Sequence, residues 1–155
     1  WLIKQFKTQY VNKTYLALVD GHPPTPTGRI EAPIERDPKT RTRMKVGLSG
    51  QGRAAVSEYF EVERFDKHSL LEVHPITGRT HQIRVHLSYI GVPVVGDTLY
   101  GRRSPSIKID RFFLHAKSIS LRLPSERIAR DFEAALPEDM QIILDNLRPV
   151  EGRII

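Results

Sequence analysis

The 155 residues carry 24 Lys and Arg against 18 Asp and Glu, a net charge of +6, with 39% hydrophobic residues and no cysteine. The length suits one domain with a sizeable core, and the lack of cysteine excludes a disulfide framework and a thiolate metal site and fits a reducing, cytoplasmic setting. No run of about eighteen apolar residues and no basic-then-apolar leader pattern is present, so a membrane partner is not expected, whereas the basic charge suits a polyanionic partner, with a generic basic surface that binds nothing an equal reading from charge alone.

Trp1-Leu2-Ile3-Lys4-Gln5-Phe6 reads as the end of a helix already under way. Leu2, Ile3 and Phe6 make a short helical stripe with no cap before it, so further residues of the same domain are expected upstream. Thr14-Tyr15-Leu16-Ala17-Leu18-Val19 is an apolar, strand-length run ended by Asp20-Gly21 and a proline-rich loop over residues 22–27. Gly28-Arg29-Ile30 starts a second short strand. Residues 35–43 read as a loop and, with Arg36, Lys39, Arg41, Arg43 and Lys45, form the densest basic segment. After Gly50-Gln51-Gly52, residues 54–65 alternate, with Val56, Tyr59 or Phe60, Val62 and Phe65 on one side and glutamates between. Residues 69–73 make the next strand, antiparallel to it across the three-residue loop Asp66-Lys67-His68.

At Thr80 the apolar period lengthens. Ile83, Leu87 and Ile90 fall at i, i+4 and i+7 of an amphipathic helix that Gly91 ends, and Thr77 and Gly78 supply the turn and a cap before it. Residues 112–123 read as strand. Pro137-Glu138-Asp139 starts a last helix, the proline pre-set for the first turn and the acids complementing the dipole, with Met140, Ile143, Leu144 and Leu147 as its buried stripe. The class is α+β, a mainly antiparallel or mixed sheet with packed helices.

Residues 74–87 place two arginines and three histidines around a turn and a helix start. His81 and His86 are about 140° apart on a helix at about 100° per residue, which is the wrong spacing for joint ligation, and no Cys or placed carboxylate completes a shell. No metal is expected. No Ser lies in a nucleophile elbow, and no Gly-Lys-Ser/Thr follows the glycines at 50 and 52. Asp97, in Gly96-Asp97-Thr98-Leu99-Tyr100-Gly101, reads as the acid of an Asx turn in preference to a catalytic group. The helix start survives: free backbone N–H groups reinforced by Arg79 and Arg84 suit phosphate or carboxylate. Arg84 falls at the edge of the buried face, where an arginine needs an anionic partner; the alternative is a solvated basic face.

His74-Pro75-Ile76-Thr77-Gly78-Arg79-Thr80-His81-Gln82-Ile83-Arg84-Val85-His86-Leu87 closely resembles a signature of the RluA-type pseudouridine synthases. The resemblance continues through residues 91–93, Val95-Gly96-Asp97-Thr98-Leu99-Tyr100-Gly101, Phe113-Leu114-His115-Ala116 and Lys13-Thr14-Tyr15-Leu16-Ala17-Leu18-Val19. Arg36-Asp37-Pro38, Arg43-Met44 and Gly52-Arg53-Ala54 match the family's middle region. The resemblance implies isomerisation of uridine to pseudouridine in structured ribosomal or transfer RNA, without cofactor or metal and with the base flipped into a pocket. An aspartate attacks the nucleoside, and the uracil is detached, rotated and rejoined through carbon. The implied roles are Tyr15 against the uracil and in late proton removal, Arg84 paired with the aspartate, and Leu114 as an apolar wall. Arg79, Thr80, His81, Gln82 and Arg43 would meet the RNA. Without the resemblance, Tyr15 reads equally as a core tyrosine, and Leu114 reads simply as core.

One departure stands out. The nucleophile of the family lies in a His-Arg-Leu-Asp or Gly-Arg-Leu-Asp motif, which these residues lack. Asp20 and Asp97 come too late in the order, and Asp37 belongs to another motif. Residues 1–155 are therefore expected to be the C-terminal portion of a single catalytic domain, inactive alone, with the partner of Arg84 lying upstream. The alternatives are a non-catalytic RNA-binding module on the same scaffold and, more weakly, a basic structural protein. A monomer is the default.

Overall fold

The computed structural model describes residues 1–8, 10–48 and 50–150. In chain order the elements are α1 (Leu2–Lys7), β1 (Asn12–Asp20), β2 (Thr27–Glu31), β3 (Ile34–Arg36), β4 (Met44–Val46), β5 (Val56–Arg64), β6 (His68–Pro75), α2 (Gln82–Tyr89), β7 (Leu114–Leu121), β8 (Arg130–Glu133) and α3 (Glu138–Asn146). Six strands form one sheet in the order β2-β5-β6-β1-β7-β8 and β3 pairs with β4; every pairing is antiparallel. The expected α+β class holds, in its antiparallel form.

β1 sits inside the sheet because its sequence can be buried on both sides. Ala17, Leu18 and Val19 are consecutive and all buried, and successive strand side chains face opposite ways. The same is true of Leu70 and Leu71 on β6. α2 lies between the sheet and the β3–β4 hairpin: Ile83 and Leu87 join the main core, while Val85 packs with Ile34, Ala55 and Tyr100. It ends in a Schellman motif, with Gly91 N–H on the Ser88 carbonyl, Val92 N–H on the Leu87 carbonyl, and Gly91 at φ 88°. α3 follows Pro137, buries Met140, and packs Ile143, Leu144 and Leu147 against the same core. Among the described residues no helix is long and apolar enough to cross a membrane.

Four expectations are corrected. Leu2, Ile3 and Phe6 of α1 are 45%, 73% and 48% exposed; the buried residue is Gln5, whose amide clamps the Arg122 backbone, donating to its carbonyl and accepting from its N–H. The loop at 35–43 is shorter, since Glu35 and Arg36 pair with Lys45 and Met44. On β5, Ser57, Tyr59 and Glu61 face in by unbroken alternation while Phe60 and Val62 face out, the ladder with β6 shifting only after Glu61. Buried Glu61 accepts the Ser69 hydroxyl and lies 3.5 Å from Arg64 Nε, so a polar pair occupies a place that alternation gives to an apolar side chain. The turn to β6 is also one residue tighter, as Phe65 N–H donates to the His68 carbonyl.

Candidate active site

A bulge in β7, opposite β1, begins the site. Thr14 pairs with Ser118 and Tyr15 with Ala116, which leaves Lys117 as the extra residue beside Tyr15, and bulges of this kind shift how neighbouring side chains are presented. Tyr15 and Lys13, on the same side of the strand, both line a cleft of about 580 Å³. Leu114, the first residue of β7, forms another wall together with Phe112, and the turn after β6 brings Arg79. α2 supplies Ile83 and Arg84, with His81 just before it. Among the described residues, no acidic one lines this cleft. Apolar walls with a cationic and imidazole rim can hold a flat, uncharged ring on an anionic backbone. Among the described residues, the Tyr15 hydroxyl makes no hydrogen bond.

Arg84 has a carboxylate partner within these residues, which corrects the expectation that its partner lies upstream. Arg84 Nε donates to Asp97 Oδ2 at 2.7 Å and Nη2 to Oδ1 at 2.9 Å. The Asp97 side chain is 0% exposed and that of Arg84 12%. Asp97 is also the Asx-turn acid expected from the sequence: its Oδ1 accepts the Leu99 and Tyr100 N–H groups, each at 3.1 Å. Burial pushes this carboxyl upward, but the Arg84 hydrogen bonds, with help from the two N–H groups, outweigh it and hold Asp97 below the ordinary carboxylate range. Enclosed and fully engaged, Asp97 is an anchor and not a nucleophile. It grips one edge of the guanidinium and leaves Nη1 without a hydrogen bond among the described residues. Phe112 and Tyr100 lie under the guanidinium, with ring centroids 4.1 and 5.0 Å away.

Tyr100 is a functional residue to which the sequence pattern assigns no role. Its hydroxyl accepts from the Met44 N–H at 2.8 Å and sits 2.6 Å from His81 Nδ1. The Arg43 guanidinium is 5.5 Å from its ring, and its own carbonyl accepts the Ser88 hydroxyl. Tyr100 thus ties α2, the β3–β4 hairpin and the Asp97 turn together. Its one signal in the sequence is its place beside Asp97 and Gly101.

The remaining residues divide. Thr77 and Gly78 do not cap α2; the N-cap is His81, in a left-handed conformation at φ 56°. Burial, followed by the charge of Arg84, lowers the His81 pKa and favours a neutral ring. Gln82, expected to meet RNA, lines the cleft but is nearly buried, and its amide is engaged as a brace. Its Oε1 accepts the Thr77 hydroxyl and Arg79 N–H, and its Nε2 donates to Val56 O and Ser57 Oγ. Arg79 Nε is held by the Ala54 carbonyl. Thr80 and Arg43 are exposed and lie outside the cleft lining. The three histidines do not converge: His74 bonds Glu72, His81 bonds Tyr100, and buried His86 bonds Ser57 and Ala32.

Comparison with known proteins places this arrangement among relatives. Residues 1–89 match the family model described as RNA pseudouridylate synthase. The chain is 46% identical over 147 residues to an uncharacterised RNA pseudouridine synthase of Chloroflexus aurantiacus, covering 95% of this chain and 46% of that protein. It is 37% identical over 153 residues to ribosomal large subunit pseudouridine synthase D of Zymomonas mobilis, covering 94% and 48%. The solved structure of human RNA pseudouridylate synthase domain containing 1 superposes with a TM-score of 0.79 at 31% identity, covering 96% of this chain and 63% of that one. The chain spans about half the length of the curated relatives it matches.

Proposed function

This chain belongs to the RNA pseudouridylate synthase family, and on that premise we propose that the Tyr15–Arg84–Leu114 cleft receives a flipped uridine of structured RNA for isomerisation to pseudouridine. The observation that carries the reading is the convergence of these three residues, from β1, α2 and β7, on one cleft with no acidic side chain among the described residues. An unpaired base leaves the stack at a cost of a few kcal/mol, and stacking on an aromatic face and apolar walls offsets part of that cost. Tyr15 provides the face and a hydroxyl for late proton removal, Leu114 the opposite wall. Arg84, fixed by Asp97, keeps Nη1 to orient a reacting carboxylate. No carboxylate among the described residues lines the cleft, and we propose that the reacting one comes from a segment preceding Trp1 in the complete protein. Arg79 and His81 flank the entrance, and Arg43 and Thr80 meet RNA farther out.

Large-subunit ribosomal RNA is the favoured substrate, from the name of the Zymomonas relative; transfer RNA is the second candidate. The setting is cytoplasmic, the protein a monomer, and neither cofactor nor metal is needed. The test is to incubate the complete protein with unmodified ribosomal RNA and quantify pseudouridine by mass spectrometry after chemical labelling. Formation at discrete uridines is expected, and tight binding with no pseudouridine would overturn the reading. That outcome favours the second reading, a non-catalytic RNA-binding module, to which the absence of an acid from the cleft lining lends support.

A further inference from the structure

Beside the main cleft lies a second, of about 410 Å³, whose lining among the described residues includes Lys7, Lys13, Arg53 and Arg79 and no acidic residue. Among the described residues none of these four cations forms an ion pair, whereas Arg29, Arg84, Arg111 and Arg130 each have a carboxylate within 3.2 Å. Lys13 belongs to both clefts. It is half-buried on β1, two residues before Tyr15, and burial lowers its pKa. Its ammonium lies against the bare backbone of the turn: a Cβ on Gly78 would be 3.4 Å from Nζ. A cation that has lost part of its water without gaining an anion is costly, and the cost is recovered when an anion arrives. One carboxylate would satisfy one such group. Four cations spread along a groove, two of them (Lys13 and Arg79) opening onto a ring-binding cleft, suit a chain of phosphates.

We propose that this second cleft binds the backbone phosphates adjoining the nucleotide held in the main cleft, with Lys13 and Arg79 the cations shared between the two. This rests on the reading that the main cleft takes a nucleotide of RNA. The groove sets the path of the strand on one side of the target, and Arg79, steadied by Ala54, marks where the two clefts meet.

The test uses the complete protein as wild type, Lys13→Gln, Lys13→Arg and Arg53→Gln. Affinity for a fluorescent single-stranded uridine oligonucleotide is measured across a range of salt, and pseudouridine formation is followed on ribosomal RNA. Loss of one phosphate contact should reduce the slope of log affinity against log salt by about 0.7, and weaken binding about fivefold at about 0.1 M salt. Lys13→Gln and Arg53→Gln should each show this, with the kinetic loss carried mainly by KM, and Lys13→Arg should keep the wild-type slope. An unchanged slope in both Gln variants overturns the proposal. So does a fall in kcat with the slope intact, which would mark an acidic segment of protein as the partner of Lys13. If the wild type binds RNA with the expected slopes yet forms no pseudouridine, the enzymatic reading fails and the phosphate groove stands. Pseudouridine formation with unaltered slopes in the Gln variants has the opposite meaning: the enzyme stands and the groove fails.

Discussion

Arg84→Met removes one half of an enclosed ion pair and leaves Asp97 with only the Leu99 and Tyr100 N–H groups. If the carboxylate stays charged, breaking such a pair costs about 3–5 kcal/mol. If it takes up a proton instead, the cost is about 1.4 kcal/mol for each pH unit above about 3.9, hence about 4 kcal/mol at pH 7 and about 1.5 kcal/mol at pH 5. The two routes agree near neutrality and part in acid, where protonation is cheaper. In the wild type the Asp97 pKa is depressed, so its contribution is fully present above the ordinary carboxylate range and is lost only as pH falls below it. In the variant the pKa is raised, and stability is lost as pH rises. Urea unfolding of both proteins at a series of pH values gives the difference directly. A penalty of about 4 kcal/mol at pH 7 that shrinks towards pH 5 is expected, and the double variant Arg84→Met, Asp97→Asn should lose the pH dependence. A penalty below about 1 kcal/mol, or one constant from pH 5 to 7, would refute the assignment of Asp97 as an enclosed anion held by Arg84.

Tyr100→Phe keeps the ring under Arg84 but removes the oxygen shared by Met44 and His81; an unsatisfied N–H there costs about 1–3 kcal/mol, read as a lower urea midpoint, and pseudouridine formation should fall as His81 loses its anchor. Burial lowers the pKa of His86, which is enclosed between Ser57 and Ala32. The unfolded chain therefore binds the extra proton first, and stability should decline as pH drops below about 6.5, by at most about 1.4 kcal/mol per unit from this residue. His86→Asn should flatten that decline, and an unaltered slope would show that His86 is not its source.

The parts of the fold legible in sequence are those written in local pattern. The continuous apolar run 16–19 announces a buried strand, and the spacing of Ile83, Leu87 and Ile90 with Gly91 announces α2 and its end. Hidden features depend on groups distant in sequence. Arg84 reads as needing an anion, yet nothing local says that the turn acid thirteen residues on folds back to it. Glu61 and Gln82 face inward because Ser69, Arg64, Val56 and Ser57 satisfy them, and a hydrophobicity pattern does not register such partners. β8 has four exposed residues and no inward face to leave a period. Within the cleft, resemblance points to Tyr15 and Leu114; it assigns nothing to Tyr100, which lies behind the lining and whose role comes from what it bridges.

The central claim is that the cleft around Tyr15 and Arg84 is where uridine becomes pseudouridine. Pseudouridine formation on unmodified ribosomal RNA by the complete protein, as wild type and as Tyr15→Ala, tests it most directly, with RNA binding measured in parallel. Discrete new pseudouridines are expected with the wild type, and their loss in the variant while RNA is still bound. Equal formation by the two proteins, or binding without formation by the wild type, would contradict it.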